Sequence, residues 1–343
     1  MTNKLVYETL HCHTLNSDGI LTHEQVLDEC LKNEISVVAF TDHDSLVEPE
    51  QFEKLKKLIH QVKFISGIEV SCDCVSEVEG KLPLFHVTGL FVDPTNQKLV
   101  EFTNNQLKDR VLRMRKVLQN LKSLGFKIDE EDVYKFVQGK AVGSPHVVSA
   151  LSTYPKNWEL LNKFYEELKS VATTDPLRKK QLEEINNREE KQKWYVLVMS
   201  QDSLHSVYVS YGQEPVMMDQ AVQLIRQAGG IALIAHWSYL RDRLTIDIIE
   251  RFLANKRLDG METVYSFGIE KDRELFVSDM LKLSELCAKY GLVQGGGGDF
   301  HKPEDFSLMT DPNFADFAQR TKGMVERILK IHPDLDLTWT SLI

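Results

Sequence analysis

One stretch near the amino terminus decides the fold: His11-Cys12-His13-Thr14-Leu15-Asn16-Ser17-Asp18-Gly19. It follows an apolar run, Leu5–Leu10, that has the character of a β-strand. Alternate side chains of a strand point the same way, so His11 and His13 leave its carboxyl end as a pair, with Asp18 in the next turn. Two imidazoles and a carboxylate suit Zn, Mn or Fe. The pair can also be surface histidines at a strand end, so the rest of the chain has to decide.

Composition sets the limits within which this stretch is interpreted. The chain has 343 residues, 42% hydrophobic and 27% charged, which is ordinary for a globular protein and allows one large core with an inserted subdomain. A net charge of -10 argues against nonspecific binding to nucleic acid. The five cysteines show no disulfide or zinc-ribbon spacing. With no signal peptide and no apolar run near the roughly 20 residues of a membrane span, we expect a cytoplasmic protein without membrane contact.

Strands and helices alternate after the opening stretch. Thr22 and Gln25 have the spacing of a helix capping box. Ser36–Phe40 is a short buried strand that leads into Thr41-Asp42-His43-Asp44, and Val62–Ile68 is a strand that ends at Glu69. This alternation predicts a parallel α/β sheet or barrel, in which the functional residues follow the carboxyl ends of the strands.

The middle of the chain breaks the alternation. Val70–Val78 and Leu82–Phe91 are predicted to form a hairpin through Glu79-Gly80-Lys81, with His86 in its second strand. Residues 93–214 then show helical periodicity without strands. We therefore predict a helical insertion, 93–214, in an α/β core made of 1–92 and 215–343.

The alternation resumes in the last third of the chain. Ile231–Ala235 is a predicted strand that presents His236, and Gly260–Val264 is another. Leu292–Gln294 is the predicted last strand, followed by Gly295-Gly296-Gly297-Gly298-Asp299-Phe300-His301. Asp299 and His301 are again two residues apart, as His11 and His13 are.

Taken singly, each of these polar residues has an ordinary structural explanation. Together they place nine metal-binding side chains where an α/β fold has its active site: His11, His13, Asp18, His43, Glu69, His86, His236, Asp299 and His301. Burial of ionisable groups without compensation is costly, so core packing does not account for the set. Nine ligands suit two or three divalent ions, with Glu69 able to bridge two of them.

The sequence resembles the polymerase-and-histidinol-phosphatase (PHP) superfamily of metal-dependent phosphoesterases. The matching pieces come in the family's order: His-x-His with Ser-Asp-Gly, Thr-Asp-His-Asp, Gly67-Ile68-Glu69, Phe85-His86, Ala235-His236 and Gly298-Asp299-Phe300-His301. The resemblance implies a distorted (β/α)7 barrel with a trinuclear Mn, Fe or Zn site. It assigns one ion to His11, His13, Glu69 and Asp299, a second to Glu69, His86 and His236, and a third to Asp18, His43 and His301.

Within the superfamily the chain is most similar to a branch with a helical insertion, which includes nucleoside 3′,5′-bisphosphate phosphatases and 5′-to-3′ exonucleases of short RNA. Gly143-Ser144-Pro145-His146 stands where that branch often has Arg-Pro-His, which marks His146 as a substrate residue or a helix-start histidine. The branch's His-Pro-x-Arg-Tyr is here His236-Trp237-Ser238-Tyr239-Leu240. Arg241 and Arg243, displaced from the family position, are the candidates to bind phosphoryl oxygens.

The resemblance implies hydrolysis of phosphate esters on nucleotides or short oligonucleotides, but not of duplex DNA, by a hydroxide that bridges two ions. Glu69, Asp299 and His236 are the expected catalytic residues, and the insertion is the expected lid. Three alternatives remain: a phosphatase of another small metabolite of the histidinol-phosphate type, an amidohydrolase-type C–N hydrolase, and a metal-stabilised scaffold without turnover. The expected strand with a carbamylated lysine is missing, which disfavours the second.

Overall fold

The computed structural model of the chain describes residues 5–58, 61–73, 75, 85–186, 190–210, 216–265 and 273–342. The strands are β1 (Tyr7–Thr9), β2 (Ile35–Phe40), β3 (Lys63–Cys72), β4 (Phe85–Leu90), β5 (Ile231–Ile234), β6 (Gly260–Tyr265) and β7 (Val293–Gly297). The helices that accompany them are α1 (His23–Lys32), α2 (Pro49–Lys57), α3 (Gln97–Ser123), α4 (Glu130–Tyr134), α5 (Ser144–Ser152), α6 (Pro155–Val171), α7 (Pro176–Asn186), α8 (Met218–Gln227), α9 (Ile246–Ala254), α10 (Arg273–Tyr290), α11 (Pro303–Phe306), α12 (Ala315–Thr321) and α13 (Met324–Ile331).

The strands form one sheet that closes on itself. Among the described residues its seven strands pair in chain order, and all pairs are parallel except the two that involve β4. The first and last strands also meet, because the Leu10 N–H donates to the Gly296 carbonyl at 2.9 Å and the Gly298 N–H to Thr9 Oγ1 at 3.1 Å. The predicted distorted (β/α)7 barrel is confirmed, and the reversed β4 is its distortion.

Period-two patterning explains how the strands bury both faces. Val37 and Ala39 of β2 belong to a cluster that receives residues from most strands and from helix α13. Val38 and Phe40, the alternate residues, pack in a different cluster with helices α1 and α2. A strand that is buried on both faces has a continuous apolar sequence, and β2 could be predicted from its sequence for this reason.

Local signals in the sequence also set the first helix. The predicted capping box is present, since Thr22 Oγ1 accepts from the Gln25 N–H at 3.2 Å and the Gln25 side chain accepts from the Thr22 N–H at 2.8 Å. Asn33 ends the helix, with its N–H bonded to the Glu29 and Cys30 carbonyls.

The predicted boundary of the last strand was wrong. Strand β7 runs from Val293 to Gly297 and not from Leu292 to Gln294, so three glycines that suggest a loop are paired with β6. Gly296 has φ +120°, and a Cβ at Gly297 would lie 2.5 Å from Thr9 Oγ1. Glycine is required here because the strand must approach β1 closely to close the barrel.

The predicted end of the third strand was also wrong. Val62–Ile68 and the start of Val70–Val78 are one strand, β3, and Glu69 lies inside it opposite Thr88 of β4. Antiparallel pairing with β4 extends β3 beyond the point where a parallel strand would end. The predicted hairpin turn at residues 79–81 lies outside the described residues.

The chain divides into two compact units, Met1–Leu107 with Glu214–Ile343, and Lys108–Gln213. The second unit is helical and packs its own core around Trp194, with Leu121 and Leu161 also fully enclosed. The assignment of 93–214 as a lid stays a prediction. None of the helices in the described parts of either unit combines the length and the apolar character needed to cross a bilayer.

Candidate metal centre

Glu69 lies at the centre of a buried cluster of ionisable side chains. It is fully buried in β3. Its Oε1 lies 3.0 Å from nitrogens of His86 and His236. The other oxygen, Oε2, lies 2.9 Å from His43 Nδ1 and 3.2 Å from the Nε2 atoms of His11 and His13. One carboxylate therefore faces five imidazoles contributed by different parts of the barrel.

The pair after β1 and the segment after β7 meet beside Glu69. His11 Nε2 and His13 Nε2 are 3.1 Å apart. Asp299 Oδ1 lies 3.3 Å from the first nitrogen and 3.0 Å from the second. Asp299 has a φ of +51° and His236 a φ of +33°, conformations that are uncommon for non-glycine residues and that cluster at functional sites.

A further group surrounds Asp18. Its Oδ1 lies 3.4 Å from His301 Nε2 and 3.7 Å from His13 Nδ1, and its Oδ2 lies 3.8 Å from His43 Nε2. The His13 and His301 rings are stacked with centroids 4.2 Å apart. The turn predicted from Ser-Asp-Gly thus brings its carboxylate to three imidazoles.

The structure brings together all nine residues singled out in the sequence. Their donor atoms fall into four overlapping groups, each within 4.8 Å: His13, Asp18, His43 and His301; His11, Glu69 and His236; His11, His13 and Asp299; His43, Glu69 and His86. The division into three ligand sets implied by the family resemblance differs in detail, because His43 also approaches Glu69 and His13 also approaches Asp18. The ligand sets themselves stay a prediction.

The electrostatics of the cluster favour bound positive charge. Burial raises the pKa of the Glu69 carboxyl, but the imidazoles of His86, His11 and His43 outweigh burial and hold that pKa well below its usual value. Burial likewise opposes the charge of His13, yet the Asp299 and Glu69 carboxylates raise its pKa to about 10. The carboxylates stay ionised, so protons on histidines or bound cations must balance them.

Hydrogen bonding tests whether the cluster fits metal ions. Among the described residues, four buried atoms of the cluster make no hydrogen bond of suitable geometry, although His43 Nδ1 and Glu69 Oε2 lie only 2.9 Å apart: Asp18 Oδ1, His43 Nδ1, Glu69 Oε2 and His86 Nε2. Buried polar atoms are rarely left in that condition unless another ligand satisfies them. Imidazole nitrogens and carboxylate oxygens that converge in this way form the donor set of Mn, Fe and Zn sites. The residues fit such ions.

Two carboxylates that support the cluster were not singled out in the sequence. Glu262 of β6 accepts from His11 Nδ1 at 2.7 Å and from Thr88 Oγ1 at 2.8 Å. Asp42 accepts from the Thr14 N–H at 2.7 Å and from Ser17 Oγ at 2.6 Å, which fixes the loop that carries Asp18. The signal for Glu262 was present, because a carboxylate inside the buried run Gly260–Tyr265 needs a partner.

The three predicted substrate residues have other local contacts. His146 Nδ1 accepts from the Gly143 N–H at 2.9 Å and so caps helix α5. Arg241 donates to Asp279 Oδ2 at 3.0 Å and keeps about a third of its side chain exposed. Arg243 is exposed, and its N–H bonds the Leu240 carbonyl. Their role in substrate binding stays a prediction.

Comparison with known sequences identifies relatives of this architecture. A sequence profile of the PHP domain matches residues 9–175. The 5′-3′ exoribonuclease Rnm of Salmonella typhimurium is 23% identical over 88% of this chain and 87% of its own length. A phosphoribosyl 1,2-cyclic phosphate 1,2-diphosphodiesterase of Eggerthella lenta is 24% identical over 86% of the chain and 94% of its own. A 3′,5′-nucleoside bisphosphate phosphatase of Chromobacterium violaceum is 23% identical, covering 86% and 87%.

A solved structure supports the fold. It is described as a putative metal-dependent phosphoesterase from Bifidobacterium adolescentis, and it superposes with a TM-score of 0.65. The match covers 94% of this chain and 96% of the other at 21% identity. At that identity the likeness speaks for the barrel fold alone.

Proposed function

We propose that this chain, whose residues 9–175 match the PHP domain and whose relatives are phosphoesterases, hydrolyses phosphate esters of nucleotides or short oligonucleotides with two or three divalent ions bound around Glu69. The observation that carries the proposal is the arrangement around Glu69. This buried carboxylate contacts five imidazoles, and the carboxylates of Asp18 and Asp299 lie close to the same imidazoles. Phosphate-ester hydrolysis is among the slowest uncatalysed reactions, and clustered cations suit it well. A non-catalytic scaffold would have no need of so many ligands.

Each part of the cluster has a task in the proposed reaction. Glu69, Asp299 and His236 hold the ions, together with the other six residues of the set. Divalent ions bound there supply Lewis acidity and lower the pKa of water. Glu262 and Asp42 fix the orientation of the ligands, as supporting carboxylates do in other metal sites. Arg241, which is held by Asp279 and follows His236 in the chain, is the proposed ligand of a phosphoryl oxygen.

The proposed substrate is small. The relatives include an exoribonuclease, a nucleoside bisphosphate phosphatase and a phosphoribosyl cyclic phosphate diphosphodiesterase, and these names share a phosphorylated ribose compound as substrate. A net charge of -10 gives no broad positive surface to neutralise the many phosphates of duplex DNA. His146 remains the predicted source of contacts beyond the scissile phosphate.

A kinetic panel tests the substrate class. We expect the highest kcat/KM on nucleoside 3′,5′-bisphosphates or 5′-phosphorylated dinucleotides, and low turnover of histidinol phosphate and of duplex DNA. The panel is repeated with His146→Ala, with the thermal midpoint measured in parallel because His146 caps helix α5. A preference for histidinol phosphate would contradict the proposed class, and unchanged nucleotide kinetics in His146→Ala would remove that residue from the site.

A further inference from the structure

We infer that Tyr239 is a stacking surface for the base of the nucleotide whose phosphate lies at the metal centre. Among the large hydrophobic side chains in the described parts of the chain it is the most exposed, at 60%. The inference rests on the proposed function and names how that site distinguishes a nucleotide from a phosphate ester without a base.

Position beside the cluster is the first support. The Tyr239 ring centroid lies 5.9 Å from that of His236, a proposed metal ligand, and 5.3 Å from that of Phe276 on helix α10. A nucleotide carries one sugar between its phosphate and its base. A phosphate at the cluster therefore leaves the base beside the cluster, where this aromatic side chain is.

Rigidity is the second support. Tyr239 ends the short 3-10 turn Trp237–Tyr239, and its neighbours in the turn are buried and bonded. The Trp237 indole N–H donates to the Leu244 carbonyl at 2.6 Å. Ser238 Oγ donates to Asp279 Oδ2 at 2.7 Å and also bonds the Tyr265 hydroxyl. An aromatic ring on a fixed turn loses little conformational freedom when a base stacks on it.

The aromatic character of Tyr239 indicates the class of ligand that it would bind. Single exposed apolar side chains are common and need no function. Tyr239 differs from the others in that its ring lies beside a proposed metal ligand, His236. Proteins that bind single-stranded nucleic acid place bases on such rings, and stacking accepts every base because each has a π face. The expected ligand is thus a nucleobase of any type.

The test compares a nucleotide with its abasic counterpart. Adenosine 3′,5′-bisphosphate and the same sugar bisphosphate without a base are assayed with the metal-loaded full chain. In Tyr239→Ala we expect the ratio of kcat/KM, nucleotide over abasic, to fall roughly 10- to 30-fold, mostly through KM. Tyr239→Phe and Tyr239→Trp keep an aromatic ring and should retain the ratio. The matched control is Leu281→Ala, which removes a different exposed hydrophobic side chain, one on helix α10. It should leave kcat/KM for both compounds unchanged.

The outcomes separate the inference from the function on which it rests. If Tyr239→Ala leaves the ratio unchanged, or slows both compounds equally, the stacking role is wrong while the phosphoesterase proposal stands. Bound metal in Tyr239→Ala, measured by elemental analysis, should equal that of the unmodified chain, and a loss would assign the effect to His236. If the unmodified chain hydrolyses neither compound and no 5′-phosphorylated dinucleotide, the proposed nucleotide function fails, and the inference fails with it.

Discussion

Replacing Glu69 with alanine is expected to lower kcat by ~10³-fold or more and to lower the bound metal in the same sample. The reason is the position of this carboxylate at the centre of the cluster, within 3.2 Å of five imidazole nitrogens. Without it, two of the four candidate groups lose their only carboxylate. Elemental analysis and phosphate release are measured on the same preparation.

His86→Ala is the matched comparison for Glu69→Ala. His86 belongs to only one of the candidate groups, so its loss should reduce occupancy at one ion and leave the others bound. Unfolding followed by circular dichroism checks that both variants keep the barrel. If Glu69→Ala retains normal activity and normal metal content, the cluster is not the catalytic centre.

The second large effect is expected at Glu262, which has no contact with substrate in the proposed reaction. Its carboxylate accepts from His11 Nδ1, which leaves His11 Nε2 as the nitrogen that faces Glu69 and Asp299 and would bind an ion. The other oxygen accepts from the His236 N–H at 3.1 Å. Glu262 is thus a positioning residue for two proposed ligands that follow different strands, β1 and β5.

Glu262→Gln should weaken metal binding by ~10–100-fold, the usual cost of losing a supporting partner of a ligand histidine. The glutamine amide nitrogen cannot accept a hydrogen bond. In the variant it must therefore face either the backbone N–H of His236 or the side-chain donors of His11 and Thr88. Calorimetric titration with Mn²⁺ measures the affinity. Thr88→Val removes only the hydroxyl donor and serves as the control. Equal affinities for Glu262→Gln and the unmodified chain would refute the positioning role.

The barrel was predictable because its signals are local. Apolar runs such as Ser36–Phe40 and the capping box at Thr22 and Gln25 depend on neighbouring residues alone. The errors arose where pairing with a distant strand overrides the local pattern. Glu69 lies inside β3 because β4 extends that strand, and Gly295–Gly297 is strand because β1 and β6 lie so close. Contacts between strands that are distant in the chain cannot be predicted from a short stretch of sequence.

The candidate site divides in the same way. His-x-His and Asp-x-His spacings identify four of the nine residues, and the other five were named because they stand in or beside the predicted strands and turns. Glu262 was missed because its role is to bond His11, 251 residues away. Arg241 was named as a phosphate ligand without its bond to Asp279, on a helix 38 residues further along. The side chains that hold a metal ligand in place are brought to it by the fold, whereas the ligands themselves can be recognised from sequence motifs.

The central claim is that divalent ions at the Glu69 cluster carry out phosphate-ester hydrolysis. The most direct measurement combines elemental analysis of protein purified without chelator with phosphate release before chelation, after chelation, and after addition of Mn²⁺, Fe²⁺ or Zn²⁺. We predict two to three ions per chain, loss of turnover on chelation, and recovery with at least one of the three metals. Less than one ion per chain, with full activity after chelation, would contradict the claim.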